Sequence, residues 1–254
     1  MSVTIITEAM AWRIVAQFVR EITQNDEGGV LAVYVIGSLG GGYFCPGRSD
    51  VDTVIIVQND APITQEEIDV VATRYWHEFD IPKGFGSIMM REHELFPPYD
   101  RSRVEDFEFS VEVARLKIQG KQVYKSYRLA DVPMPSRDDL ICDAIIMENW
   151  LDNEFGYPMF DKLKITGCIN CILGYMRRYL MIEQGVYEFN KHKVIDSYLQ
   201  HSPPLVDLHL FQRVQVALHD PSLGQGQLLN ELRRFGTQMR DYMNIRLLSL
   251  DLSR

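Results

Sequence analysis

Residues 7–23 set Met10, Ile14, Val15, Phe18, Val19 and Ile22 near a helical period, and Thr7 with Glu8 offers a cap, so an amphipathic helix is predicted. After the break NDEGG comes VLAVYVIG, a run of β-branched and aromatic residues that predicts a buried strand ending at Gly37. Residues 38–50 hold four glycines, a proline and two serines and exclude a long regular element, while VDTVIIV at 51–57 predicts a second strand. Pro62, Thr64 and Glu67 announce a helix to about Phe79, stopped by Asp80, Pro82 and Gly84. FGSIMM reads as a third strand. The segment 93–106, with Pro97 and Pro98, reads as loop; Phe107–Ile118 is helical and Gln122–Tyr124 a short strand.

From Asp138 onward the apolar spacing is helical almost throughout: ICDAIIMENWL, a long stretch from Leu163 to about Glu183, Lys191–Leu199, and two later stretches. The expected fold class is therefore α+β. A mixed sheet with flanking helices over residues 1–132 precedes an all-helical domain over 138–254, joined by the proline-containing linker ADVPMPSR.

The length of 254 residues accommodates two such cores, and 46% hydrophobic with 24% charged residues excludes disorder and collagen-like repeats. With 26 basic and 35 acidic residues the net charge is −9, which argues against polymeric nucleic acid as a partner. Four scattered cysteines do not make a disulfide framework. No apolar run is long enough to span a bilayer, and MSVTIITEAMAWR lacks the signature of a secretory leader, so a cytoplasmic protein away from membranes is expected.

Candidate chemistry concentrates in Gly37-Ser38-Leu39-Gly40-Gly41-Gly42 and, after eleven residues beyond Ser38, Asp50-Val51-Asp52 at the head of a strand. Residues two apart in a strand share a face, so Asp50 and Asp52 present adjacent carboxylates, and a divalent cation relieves their repulsion. Such hard oxygen ligands suit magnesium, with water and phosphate oxygens completing its shell. The glycines let backbone N–H groups approach a triphosphate, and the Ser38 hydroxyl adds a donor. No Gly-Lys-Ser/Thr follows, so this is not a Walker loop, and no G-x-G-x-x-G opens a helix.

VIGSLGGGYFCPGRSDVDTVIIV resembles the signature of the nucleotidyltransferase superfamily that includes DNA polymerase beta, in which G-S precedes a D-x-D pair on a strand. The layout is similar to that of the aminoglycoside and lincosamide nucleotidyltransferases. The resemblance implies that Asp50 and Asp52 hold Mg2+ or Mn2+ and that Gly37, Ser38, Arg48 and Ser49 meet the nucleotide. It implies ATP as co-substrate and transfer of AMP to a hydroxyl of a small molecule, an antibiotic of these types being the leading acceptor. It also implies a third carboxylate on the strand after the second helix, where this chain has Gly84, Gly86 and Ser87. Glu108 and Glu112, one helical turn apart, are the candidates to supply it, although that spacing equally describes a solvated helix face.

Two further readings stand beside this one: transfer to a protein or RNA, as in toxin–antitoxin systems, and a nucleotide-binding relative without activity. A homodimer is compatible with all three. Cys168-x-x-Cys171 reads as helix packing rather than a zinc or redox pair. Arg177 and Arg178 read as the solvent side of a long helix, with triphosphate binding as the alternative. Tyr157–Lys164 and the acids Glu148, Asp152 and Glu154, taken as exposed, are positioned in sequence to line a substrate cleft.

Overall fold

Thr7 accepts a hydrogen bond from Met10 N and opens α1, Glu8–Ile22, whose Ala11, Ile14, Val15, Phe18 and Val19 are buried on one face. The computed structural model describes residues 5–24, 29–99, 108–219 and 225–251. The break at 25–29 and the loop at 93–106 fall partly outside these residues. In chain order β1 is Val30–Ile36, α2 Gly37–Gly40, β2 Val51–Val57, α3 Gln65–Phe79, β3 Phe85–Arg91, α4 Phe109–Gln119 and β4 Lys121–Tyr124. Then follow α5 Arg137–Phe155, α6 Ile165–Gln184, α7 Val194–Gln200, α8 Leu208–His219 and α9 Gln225–Asp251. Each predicted element has a counterpart among the described residues, and Phe107, the first residue of the helix predicted over 107–118, lies outside them. The additions are α2, a single helical turn within the glycine-rich connection, and short 3-10 turns at Glu92–Leu95, Leu129–Asp131 and Met159–Lys162.

The described residues divide into two compact units: 5–24, 29–99 and 112–134 in the first, 108–111 and 135–251 in the second. In the first, the sheet runs β3-β2-β1-β4, with β1 antiparallel to β2 and β4, and β2 parallel to β3. One face of the sheet, with Val33, Val35, Val51, Ile55, Phe85 and Met89, packs with Phe18 of α1 and Ile68, Ala72 and Tyr75 of α3. Each such large side chain contributes about 1.5–3 kcal/mol on burial. Strand alternation sends Asp52 to the opposite face.

A reciprocal cap between Thr64 and Glu67 starts α3, and Asp80, left-handed at φ 49°, ends it. Gln65 then covers the outer edge of β3. Its amide nitrogen donates to Ser87 O at 2.8 Å and its oxygen accepts from Met89 N at 2.7 Å, satisfying edge groups that a further strand would otherwise pair.

In the second unit, α6 buries Cys168, Ile172, Leu173, Met176 and Leu180 against Leu228, Leu232, Phe235 and Met239 of α9, with Tyr198 of α7 and Phe211 of α8 in the same core. Ser136 and Asp139 cap α5 reciprocally, and Gly185 at φ 66° closes α6. No described helix is long and apolar enough to cross a membrane.

Candidate active site

The end of β1 and the start of β2 meet through register. Ile36 is the partner of Asp52, and on the other side of β2 Asp52 is the partner of Gly86 in β3. At Gly37, φ 63°, the chain leaves the strand in a conformation that glycine tolerates best. A Cβ built on Gly37 would fall on Asp52 Oδ2, and one on Gly86 would lie 3.0 Å from Oδ1. The Asp52 carboxylate thus rests over two glycines, in space that side chains at either position would take.

The turn itself is closed by backbone hydrogen bonds from Gly41 N to Gly37 O, 2.9 Å, and from Tyr43 N to Ser38 O, 2.9 Å. These leave the Ser38 hydroxyl buried with no hydrogen-bond partner among the described residues. A buried polar atom without a partner costs free energy, which a ligand oxygen would recover. Asp50, half-buried just before β2, has no ion pair or side-chain hydrogen bond among the described residues. Two carboxylates and an orphaned hydroxyl beside a glycine turn fit a divalent cation carrying phosphates. Among the described residues no group of three or more His, Cys, Asp or Glu is arranged to hold a metal ion, so phosphate and water would complete the shell.

The remaining sequence candidates distribute differently. Ser49 is buried and closes the loop: its Oγ accepts from Cys45 N at 2.9 Å while its own N donates to Cys45 O at 3.0 Å. Arg48 beside it is exposed. Glu112, in the first unit, pairs with Arg115 at 3.0 Å. Glu108, in the second, pairs with Arg178 at 3.1 Å. Neither is a bare carboxylate on a solvated helix face, because each is largely buried against a guanidinium.

Lys121 escaped the sequence reading. Its ammonium lies 5.7 Å from the centre of the Trp12 ring and 3.9 Å from a Cβ built on Gly42, which sets a cation on the glycine turn. The signal is the pairing of Lys121 with Val35, a tertiary fact that the local sequence does not carry.

Arg178 is not on a solvent side. It meets Glu148 at 2.5 Å as well as Glu108, and Arg240 meets Glu148 at 2.9 Å and Asp152 at 2.8 Å. Tyr175 also donates to Glu148, at 3.0 Å. Burial opposes the charge on Arg178, but Glu108 and Glu148 outweigh it and hold its pKa above the ordinary value. Glu148 is buried rather than exposed, because it serves two arginines inside the helical core. Cys168 and Cys171 are free thiols; burial raises both, Cys171 to about 11, which agrees with packing rather than redox chemistry.

No protein-family model matches the chain, and no curated protein matches it in sequence. In structure it is similar to the spectinomycin adenyltransferase AAD(9) from Enterococcus faecialis, solved with ATP and spectinomycin. The identity is 15%, the TM-score 0.59, and the match covers 91% of this chain and 98% of that chain. The likeness gives the chain the fold of that adenyltransferase, a mixed sheet with flanking helices followed by a helical region.

Proposed function

We propose that the chain is a nucleotidyltransferase that moves AMP from ATP to a hydroxyl of a small molecule, with Asp50 and Asp52 as the ligands of Mg2+ or Mn2+. The observation that carries the proposal is the seat of the Asp52 carboxylate over Gly37 and Gly86, beside the partnerless Ser38 hydroxyl. A bound divalent ion supplies charge neutralisation on the triphosphate and acidifies the attacking hydroxyl. The residues do the rest. Ser38 and the backbone at Gly37 receive phosphate oxygens, Arg48 and Lys121 add positive charge near the turn, and Ser49 holds the loop that presents Asp50. The acceptor oxygen attacks the α-phosphorus, the bond to the bridging oxygen of the β-phosphate breaks, and pyrophosphate leaves.

Of the two glutamates, Glu112 belongs to the same unit as Asp50 and Asp52 and is our choice to take the acceptor proton. Glu108 serves Arg178. The acceptor class we favour is the aminoglycoside or lincosamide antibiotics. The structural likeness to a protein solved with spectinomycin and the net charge of −9, which attracts polycations, support it. The test is transfer of α-labelled ATP across an antibiotic panel: label on a small molecule with pyrophosphate release is expected, and label on protein or RNA alone overturns the acceptor class.

One observation favours a second reading. Gly86 stands where a third carboxylate would adjoin Asp52, and a chain lacking it could bind nucleotide without transferring it. Metal-dependent binding with no pyrophosphate for any acceptor would establish that reading.

A further inference from the structure

On α9, Asn230, Arg233, Arg234, Thr237 and Gln238 repeat at three- and four-residue steps and form one polar face. With Tyr157 and Asp161 from the α5–α6 connection they line a groove of about 500 Å3 in the second unit. That volume suits a small ligand.

Its charges are not spent on one another. Arg233 donates from Nη2 to Leu163 O at 3.2 Å, while its Nε is buried without a hydrogen-bond partner among the described residues. Arg234 is exposed and makes no ion pair or side-chain hydrogen bond among the described residues. Asp161 shares the groove, yet forms no ion pair with either arginine. In a chain of net charge −9, the exposed Arg234 beside the half-buried Arg233 marks a local reversal of sign along one groove. Guanidinium groups recognise oxyanions through paired N–H donors, whereas Asp161 accepts hydrogen bonds from hydroxyls. Asn230, Thr237 and Gln238 do either.

We infer that this groove binds a small hydroxylated anion, its phosphate or carboxylate on Arg233 and Arg234 and its hydroxyls toward Asp161. The inference goes beyond the nucleotidyltransferase reading and uses none of the residues assigned to nucleotide or metal, although Tyr157 and Asp161 belong to the stretch 157–164 that the sequence offers for a substrate cleft.

The test is calorimetric titration of the full chain carrying Asp50→Asn and Asp52→Asn, which removes metal-dependent binding at the nucleotide site, with glucose 6-phosphate, gluconate and glucose. At least one anion is expected to bind, about tenfold or more tighter than glucose, and Arg234→Gln to remove about tenfold of that affinity. Preference for glucose 6-phosphate assigns the anion as phosphate, and preference for gluconate as carboxylate; either supports the groove. Arg234 is exposed, so its variant should keep the parent's circular dichroism. Absence of anion binding up to about 10 mM, or anion binding unchanged by Arg234→Gln, overturns the inference.

Discussion

Gly37 and Asp52 share one volume: Asp52 Oδ2 occupies the place where any side chain on Gly37 would begin. The turn that ends β1 and the carboxylate that begins β2 therefore depend on each other. Gly37→Ala adds a methyl group in that place and a residue at φ 63° that costs about 1–2 kcal/mol. A lower Tm and a displaced Asp52 should follow, with metal-dependent nucleotide affinity reduced more than the stability loss explains. A Gly37→Ala protein with unchanged ATP affinity would separate the turn from the site.

Gly86 supplies the opposite experiment. A side chain there starts 3.0 Å from Asp52 Oδ1 and has ordinary backbone geometry. Gly86→Glu should install a third carboxylate and raise the rate of pyrophosphate release, or create it where the parent has none. Steady-state rates with and without acceptor read the result. A decrease would mean that the extra side chain crowds Asp52 rather than assisting it.

Much of this site is local and therefore legible in sequence. The G-S turn and the D-x-D pair lie in one stretch, and the helical period of Ile14, Val15 and Phe18 identifies the layer behind them. What was not legible is long-range. The pairing of Asp52 with Gly86 needs the parallel register of β2 on β3, which Thr53 and Ser87, with hydroxyl oxygens 2.7 Å apart, hold in place. Glu148 resembles any helix-surface acid until Arg178, 30 residues away, and Arg240, 92 away, are folded onto it.

That buried cluster makes the helical unit sensitive to one substitution. Glu148→Gln leaves two largely buried guanidiniums without their shared carboxylate. Loss of one partner of a buried pair costs about 3–5 kcal/mol. Urea unfolding should show a drop of that order. A change below about 1 kcal/mol would place the network among solvated pairs.

Glu183 gives a pH signature. Its hydrogen bond to Arg246, with Arg137 adding to it, outweighs burial and holds its carboxyl below the usual value. A lowered folded pKa contributes stability above the ordinary carboxylate range, and that stability is lost as pH falls through the lowered value. Arg246 is 42% exposed, so screening limits the pair to about 1 kcal/mol. Arg246→Gln should destabilise by up to about that amount at pH 7, and the difference should fade below about pH 4. A difference that persists into acid would assign the effect of Arg246 to packing.

The most direct measurement of the central claim is calorimetric binding of a non-hydrolysable ATP analogue, with and without Mg2+, to the parent and to the Asp50→Asn, Asp52→Asn double variant. The account predicts binding by the parent only when the metal is present, and loss of that binding in the variant, whose fold should persist by circular dichroism. Metal-independent binding, or affinity unchanged by removing both carboxylates, would contradict it.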